Sequence, residues 1–325
     1  MTATDRLAPI PAPDGVNPLR ARAAVRDLYA RPTITPGDLS APLLVLPNDG
    51  PAASELPGAV AVGDIARTVR RWWSLGIHGV KLFAAGHDRD GQASGALLPG
   101  NRMLAGIEAV KAAEPGMAVT TEVCGCSWTD HGQCVLRRSD DGRIDLGATF
   151  ELMGTMAVRH AEAGADVVSP TAMLDGSVRA VRVALNDGHR DVGVNPNVAL
   201  HTVLYGPFKQ LMGTNPVAGH RRGLQLEPGR ADRDALVQAR QWVTEGADSL
   251  TLQPVMTAMD VLVRLRADQQ VPLVAYSTSG EWAALRQLGP AGVVEYHAAL
   301  KRAGADVILS FAAEEVARRL EDGRG

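Results

Sequence analysis

Ala163-Gly164-Ala165-Asp166-Val167 closes one helical pattern and opens an apolar run, and the chain repeats the phrase with small changes three more times. The other copies are Leu75-Gly76-Ile77-His78-Gly79-Val80, Glu245-Gly246-Ala247-Asp248-Ser249 and Ala303-Gly304-Ala305-Asp306-Val307. In each, the glycine is expected to end a helix in the left-handed conformation, and the chain then turns straight into a buried parallel strand. Working outward from these joints, apolar runs alternate with longer helical patterns. The runs are Leu43–Pro47, Val80–Ala84, Ala118–Cys124, Asp166–Thr171, Asp191–Asn197, Asp248–Pro254, Pro272–Thr278 and Asp306–Phe311. Eight strands with helical crossovers predict an α/β fold of the (β/α)8 TIM barrel type over 41–325. The alternative, an open doubly wound sheet, lacks the glycine-rich phosphate loop expected after its first strand. Residues 1–40 read as an N-terminal arm, loose over 1–20, with a short basic helix at 21–31 carrying Arg22, Arg26 and Arg31.

The 325 residues are 46% apolar and 21% charged, with a formal net charge of -3. No long basic run marks a nucleic-acid surface, and no stretch of about 18 apolar residues is available to cross a bilayer. The beginning of the chain has no secretory pattern, and an odd number of clustered cysteines fits a reducing compartment. The expected setting is the cytoplasm.

All three cysteines fall in Cys124-Gly125-Cys126-Ser127-Trp128-Thr129-Asp130-His131-Gly132-Gln133-Cys134. Three thiolates suit a borderline metal, with zinc first because it takes sulfur in tetrahedral geometry. Three protein ligands leave one position open, as in catalytic sites. Two other readings of the spacing are a buried thiol cluster or incidental disulfide, and a closed structural site with His131 as fourth ligand.

In a barrel, chemistry belongs at the C-terminal strand ends. The cysteine cluster lies at the third of these. Other polar residues at equivalent ends are Glu122, Thr171, Asp175, Asn195, Asn197, Gln253, Ser277 and Ser279. The segment Tyr205–Pro228 is long, punctuated by Gly and Pro, and carries Lys209, His220, Arg221 and Arg222. Such a segment reads as a lid, and its guanidinium groups suit a substrate carboxylate or phosphate.

With these segments in place, the chain resembles the porphobilinogen synthase (δ-aminolevulinic acid dehydratase) family from about residue 20 to 320. The resemblance rests on Glu122-Val123-Cys124-Gly125-Cys126 through His131-Gly132-Gln133-Cys134, on His160-Ala161-Glu162-Ala163-Gly164-Ala165-Asp166 and on Leu174-Asp175-Gly176. Further on it rests on Tyr205-Gly206-Pro207-Phe208, Gln225-Leu226-Glu227-Pro228, Ser279-Gly280-Glu281 and Leu300-Lys301-Arg302-Ala303-Gly304-Ala305-Asp306. The resemblance implies zinc on Cys124, Cys126 and Cys134, and makes His131 a neighbour of the metal rather than a ligand. It also implies a homo-oligomer, from dimer to octamer, built through the arm. Family members can bind magnesium at a separate site, for which no residues here speak.

The family joins two molecules of 5-aminolevulinate through Schiff bases on two lysines. The matching positions here are Ala199 and Gln253, and neither can form a Schiff base. A family aspartate is replaced by Ala172, a carboxylate-binding tyrosine by Phe311 and, conservatively, a lid arginine by Lys209, whereas Arg221, Gln225 and Ser279 keep the substrate-binding pattern. The leading reading is therefore a zinc-dependent lyase or condensing enzyme acting on a small amino- or keto-carboxylate, in specialised metabolism. Glu122, His131 or Asp175 would handle the proton. One alternative is a non-catalytic binding or regulatory paralogue. Another is porphobilinogen synthesis itself on a relocated lysine, of which the chain offers Lys81, Lys111, Lys209 and Lys301. Lys81 lies on the second strand and points either into the barrel or outward against a helix.

Overall fold

The computed structural model describes residues 18–29, 34–47, 56–84, 89–217 and 220–322. Contacts divide the chain into residues 1–33 and 34–325. Within the first unit, the basic stretch forms two short helices, α1 (Pro18–Ala21) and α2 (Ala23–Tyr29). Arg31 and residues 1–17 lie outside the described residues.

The second unit is built on ten strands: β1 (Leu39–Leu46), β2 (Ala59–Ala61), β3 (Gly79–Ala84), β4 (Ala118–Val123), β5 (Val167–Pro170), β6 (Gly193–Val194), β7 (Asn197–Ala199), β8 (Leu250–Gln253), β9 (Leu273–Ser277) and β10 (Val307–Ser310). Every pairing is parallel, in the order β6-β5-β4-β3-β1-β10-β9-β8-β7, with β2 beside β1. The two ends of this order are one stretch of chain, because only Asn195 and Pro196 separate β6 from β7. Pro196 has no N–H to give a ladder, which splits that strand in two. The barrel thus closes on eight strands, as the joints predict. Two details differ. The first strand begins at Leu39, because Leu39 and Ser40 already pair with Ile308 and Leu309, and β2 is too short to carry a pattern of its own.

The covering helices are α3 (Ile65–Ser74), α4 (Arg102–Ala113), α5 (Leu146–Glu162), α6 (Ser177–Leu185), α7 (Gly206–Met212), α8 (Ala231–Glu245), α9 (Met259–Asp268), α10 (Ser279–Leu285), α11 (Gly289–Arg302) and α12 (Ala313–Glu321). Among the described residues, no helix is long and apolar enough to cross a membrane.

The repeated phrase has a physical reason beyond its glycine. In three copies the aspartate accepts the N–H that opens the neighbouring strand: Asp166 from Val119, Asp248 from Val194 and Asp306 from Leu273, each at 2.7 Å. The same aspartates pair with Lys111, Arg182 and Arg266, which sit on the preceding helices. At Gly304 the φ is +115°, and a Cβ would stand 2.5 Å from Cγ of Arg266. Glycine therefore serves the turn and also gives the basic stem room to cross it. The ion pairs are part-exposed and weak; the carboxylate-to-backbone bonds hold the strand starts in register.

The barrel interior is two-sided. Leu44, Leu46, Phe83, Tyr276, Leu309 and Phe311 form one apolar cluster. Facing it is a buried polar row of Lys81, Glu122, Ser169, Asn195, Asn197, Thr251 and Gln253. A second, larger apolar core lies between strands and helices.

Candidate active site at the C-terminal mouth of the barrel

A cavity opens where the polar and apolar halves meet at the C-terminal strand ends. It is lined by Phe83, Glu122, the three cysteines, Thr171, Asn197, Ala199, Gln253, Tyr276, Thr278 and Ser279, and from the long connection by Tyr205, Phe208, Lys209, Thr214, Arg221, Leu224 and Gln225. Of the residues expected at the site, this brings together Glu122, Cys124, Cys126, Cys134, Lys209, Arg221, Gln225, Gln253 and Ser279. Two stand apart from it. Asp175 is exposed and accepts a hydrogen bond from Gln238, because the chain has by then turned toward α6. His131 accepts from the N–H of Gln133 at 3.2 Å, and its Nε2 is buried without a partner.

The three thiols are free and buried, so the disulfide reading is set aside. Their sulfur atoms all lie within 4.8 Å of one another, with Cys124 and Cys126 3.2 Å apart. The turn Gly125–Ser127 after β4 presents the first two thiols, and the loop returns Cys134 against them. A Cβ at Gly125 would meet the Cys134 carbonyl oxygen at 3.1 Å, so the return depends on close backbone approach. Three converging sulfurs with zinc–sulfur bonds of about 2.3 Å can close on one ion, so the donor set fits a zinc-type cation. Hydrogen bonds from its neighbours hold the Cys134 thiol well below the usual cysteine range, while they push Cys124 well above it.

Arg221 supplies the counter-charge. Its buried guanidinium donates to the carbonyl oxygens of Gly132 and Thr214. Burial works to lower its pKa, but the charges of Cys134, Cys126 and Cys124 outweigh that and raise it. Lys209 sits 4.9 Å over the Tyr205 ring, and burial followed by repulsion from Arg221 lowers its pKa. Glu122 accepts from Ser127 at 3.4 Å, and burial, reinforced by Cys126, raises its pKa to about 8.

The long connection opens with α7, which docks just beyond the end of β9. Ser279 accepts from the N–H of Phe208 at 2.9 Å, and the Gly280 N–H donates to Leu204 at 2.8 Å. Glu281 accepts the backbone N–H groups of Val255, Met256 and Thr278, and so braces the turn after Gln253. At its far end the connection is pinned to β7, where Leu226 donates to Ala199 and His201 to Leu226.

Lys81 was the least legible contributor. It points inward, is 2% exposed, and donates to Ser169 at 2.8 Å and Asn197 at 2.9 Å across the barrel. Burial lowers its pKa to about 7, against the pull of Glu122. Phe311 lies outside the cavity lining, stacked 6.3 Å from Tyr276, while Ala172 is fully buried.

With this geometry established, residues 16–319 match the model of the family described as delta-aminolevulinic acid dehydratase. The chain belongs to the delta-aminolevulinic acid dehydratase family. A family enzyme from Synechococcus elongatus is 33% identical over 93% of this chain and 97% of its own length, and one from Escherichia coli is 31% identical over 93% and 96%. A solved delta-aminolevulinic acid dehydratase (porphobilinogen synthase) from Toxoplasma gondii, in complex with its product porphobilinogen, superposes with a TM-score of 0.89. It is 28% identical and covers 95% of this chain and 93% of its own. The family is one of condensing, lyase-type enzymes, and the TIM barrel found here is its fold. Within that frame, this chain places the short side chain of Ala199 and the amide of Gln253 on the cavity wall.

Proposed function

We propose that this protein is a porphobilinogen-synthase-like lyase or condensing enzyme that handles a small amino- or keto-carboxylate without amines at positions 199 and 253. The observation that carries the proposal is the make-up of one cavity. It joins three thiols suited to zinc with Lys209, Arg221 and Gln225, while Ala199 and Gln253 supply no nucleophile. Cys124, Cys126 and Cys134 would hold the metal, which when bound supplies Lewis-acid polarisation of a carbonyl or hydroxyl. Lys209 and Arg221 orient the carboxylate by charge, and the Phe83, Phe208 and Tyr276 wall excludes water from the opposite side. Of the three candidate proton carriers, Glu122 alone faces the cavity and is assigned that role. By family likeness the protein works as a homo-oligomer in the cytoplasm, and the residues at 199 and 253 support a reaction in a specialised pathway.

A second reading, the family's own condensation on a relocated amine, draws on Lys209, the only primary amine lining the cavity among the described residues. Titrating the zinc-loaded protein with levulinate, a 4-oxo carboxylate, and then adding borohydride separates the two. Saturable binding without a covalent adduct is expected. An adduct on Lys209, together with porphobilinogen formed from 5-aminolevulinate, would replace the first reading by the second, and absence of any binding would sink both.

A further inference from the structure

The inward course of Lys81 gives it a route to the cavity that its sequence position conceals. It starts on β3, yet its two partners sit on β5 and β7, neither of which neighbours β3. The Ser169 hydroxyl lies 2.6 Å from the Asn195 carbonyl and 2.9 Å from Oδ1 of Asn197; its one proton goes to the nearer Asn195 oxygen, and its lone pairs serve Lys81 as acceptor. Asn197 turns Oδ1 to the amine, which leaves its Nδ2 to donate to Oε1 of Gln253 at 2.9 Å. The amine gives both of these bonds as donor, so it fixes which end of Asn197 faces it, and Asn197 in turn fixes Gln253. The end of Gln253 left over is Nε2, a two-proton donor. Tyr205, also on the cavity wall, turns its hydroxyl to the backbone oxygens of Leu200 at 3.0 Å and Gln253 at 3.1 Å, not to this side chain.

We propose that Lys81 is a positioning residue: acting through Asn197, it holds the Gln253 amide with its N–H2 group toward the cavity, making the end of β8 a built donor for a substrate carbonyl or carboxylate oxygen. The inference rests on the oxo- or amino-carboxylate reading above. Lys81 itself lies outside the cavity lining, and nothing else in the described structure gives its buried amine a carboxylate partner within bonding distance. Its role is to set the polarity of the row, and its effect on ligand passes through Asn197 to Gln253, both of which line the cavity.

A double-mutant cycle tests this with the zinc-loaded protein and levulinate as probe. Lys81→Met is expected to weaken binding about tenfold in the wild-type background, and less than about twofold once Gln253→Leu is present. Asn197→Ser, which cuts the row while leaving the amine, should reproduce the loss if Lys81→Met folds poorly. Equal losses in both backgrounds, or none in either, would overturn the role. A ligand-free reading stands beside this in 15N-labelled protein. The Gln253 side-chain amide signal, assigned by its disappearance in Gln253→Leu, should shift in Lys81→Met and stay in place in Lys111→Met. An unmoved Gln253 signal in Lys81→Met refutes the relay even if levulinate never binds, whereas a wild type that shows the relay but no levulinate binding refutes only the carboxylate reading. A borohydride-trapped adduct on Lys81 would also refute positioning, by making the amine a nucleophile.

Discussion

Arg221 donates to the backbone oxygen of Gly132, so a residue of the long connection is bonded directly to the loop that carries Cys134. The contact is backbone-close on both sides. Gly132 has a φ of +67°, and a Cβ there would stand 2.7 Å from the Asn215 carbonyl oxygen. This part of the long connection and the cysteine loop therefore fold as one object.

Arg221→Ala should loosen both at once. Losing charged hydrogen bonds to two buried carbonyls is expected to cost about 2–3 kcal/mol in denaturant unfolding and to speed proteolysis within 205–228. Arg222→Ala is the control: its side chain is 59% exposed and 3.7 Å from Glu227, so a change below about 0.5 kcal/mol is expected. Equal effects of the two would show that Arg221 is not a tie.

Metal analysis of the purified protein should return about one zinc per chain, with Cys124→Ser, Cys126→Ser and Cys134→Ser each reducing it strongly. Chelation should lower the melting temperature, and zinc should restore it. Full zinc content in the Cys124→Ser protein would remove the site from these thiols.

Lys81 should leave a pH signature in stability. Below about 7 its amine is charged in the folded and unfolded chains alike, and the burial penalty is fully present. Between about 7 and the usual 10.5 the folded amine is neutral while the unfolded one is charged, so stability rises with pH. Glu122, raised to about 8, acts oppositely, with stability falling as pH rises from 4.5 to about 8. The interval from about pH 8 to 9.5 lies above the Glu122 range, and comparison with Lys81→Met removes the contribution of the thiols. Wild type should gain up to roughly 2 kcal/mol there relative to Lys81→Met. Parallel curves for the two proteins would mean that the amine is not titrating in that range.

Gly280→Ala should displace α7 from the cavity wall. The added Cβ would stand 2.5 Å from the Leu204 carbonyl oxygen, a backbone atom that cannot step aside. A loss of roughly 1–3 kcal/mol is expected, with weaker levulinate binding. Gly229→Ala meets nothing within 4 Å and should be close to neutral. A harmless Gly280→Ala would show that the close approach of these segments is dispensable.

The parts of this molecule that could be read from sequence are those set by local backbone chemistry. A glycine that ends a helix declares itself within five residues, which is why Gly76, Gly164, Gly246 and Gly304 located the strands, and all four have positive φ. The cysteine cluster was equally local. The aspartate clamps are not legible in the sequence, because Asp166 bonds a backbone group 47 residues away. Lys81 was ambiguous for a different reason. Val80–Ala84 is buried on both faces, so no alternation of polarity distinguishes inward from outward. Asp175 was placed by proximity to a strand end, but a few residues of loop were enough to carry it to the surface.

The clamps of Asp166, Asp248 and Asp306 all grip strand beginnings, at the end of the barrel away from the cavity. Anchorage and chemistry thus occupy opposite poles of the same eight strands. A side chain at 199 or 253 can be exchanged without touching a single clamp, so the cavity pole can vary while the anchored pole keeps the barrel in register. That separation explains how a chain can retain a family's scaffold so completely and still carry an alanine and an amide on its cavity wall.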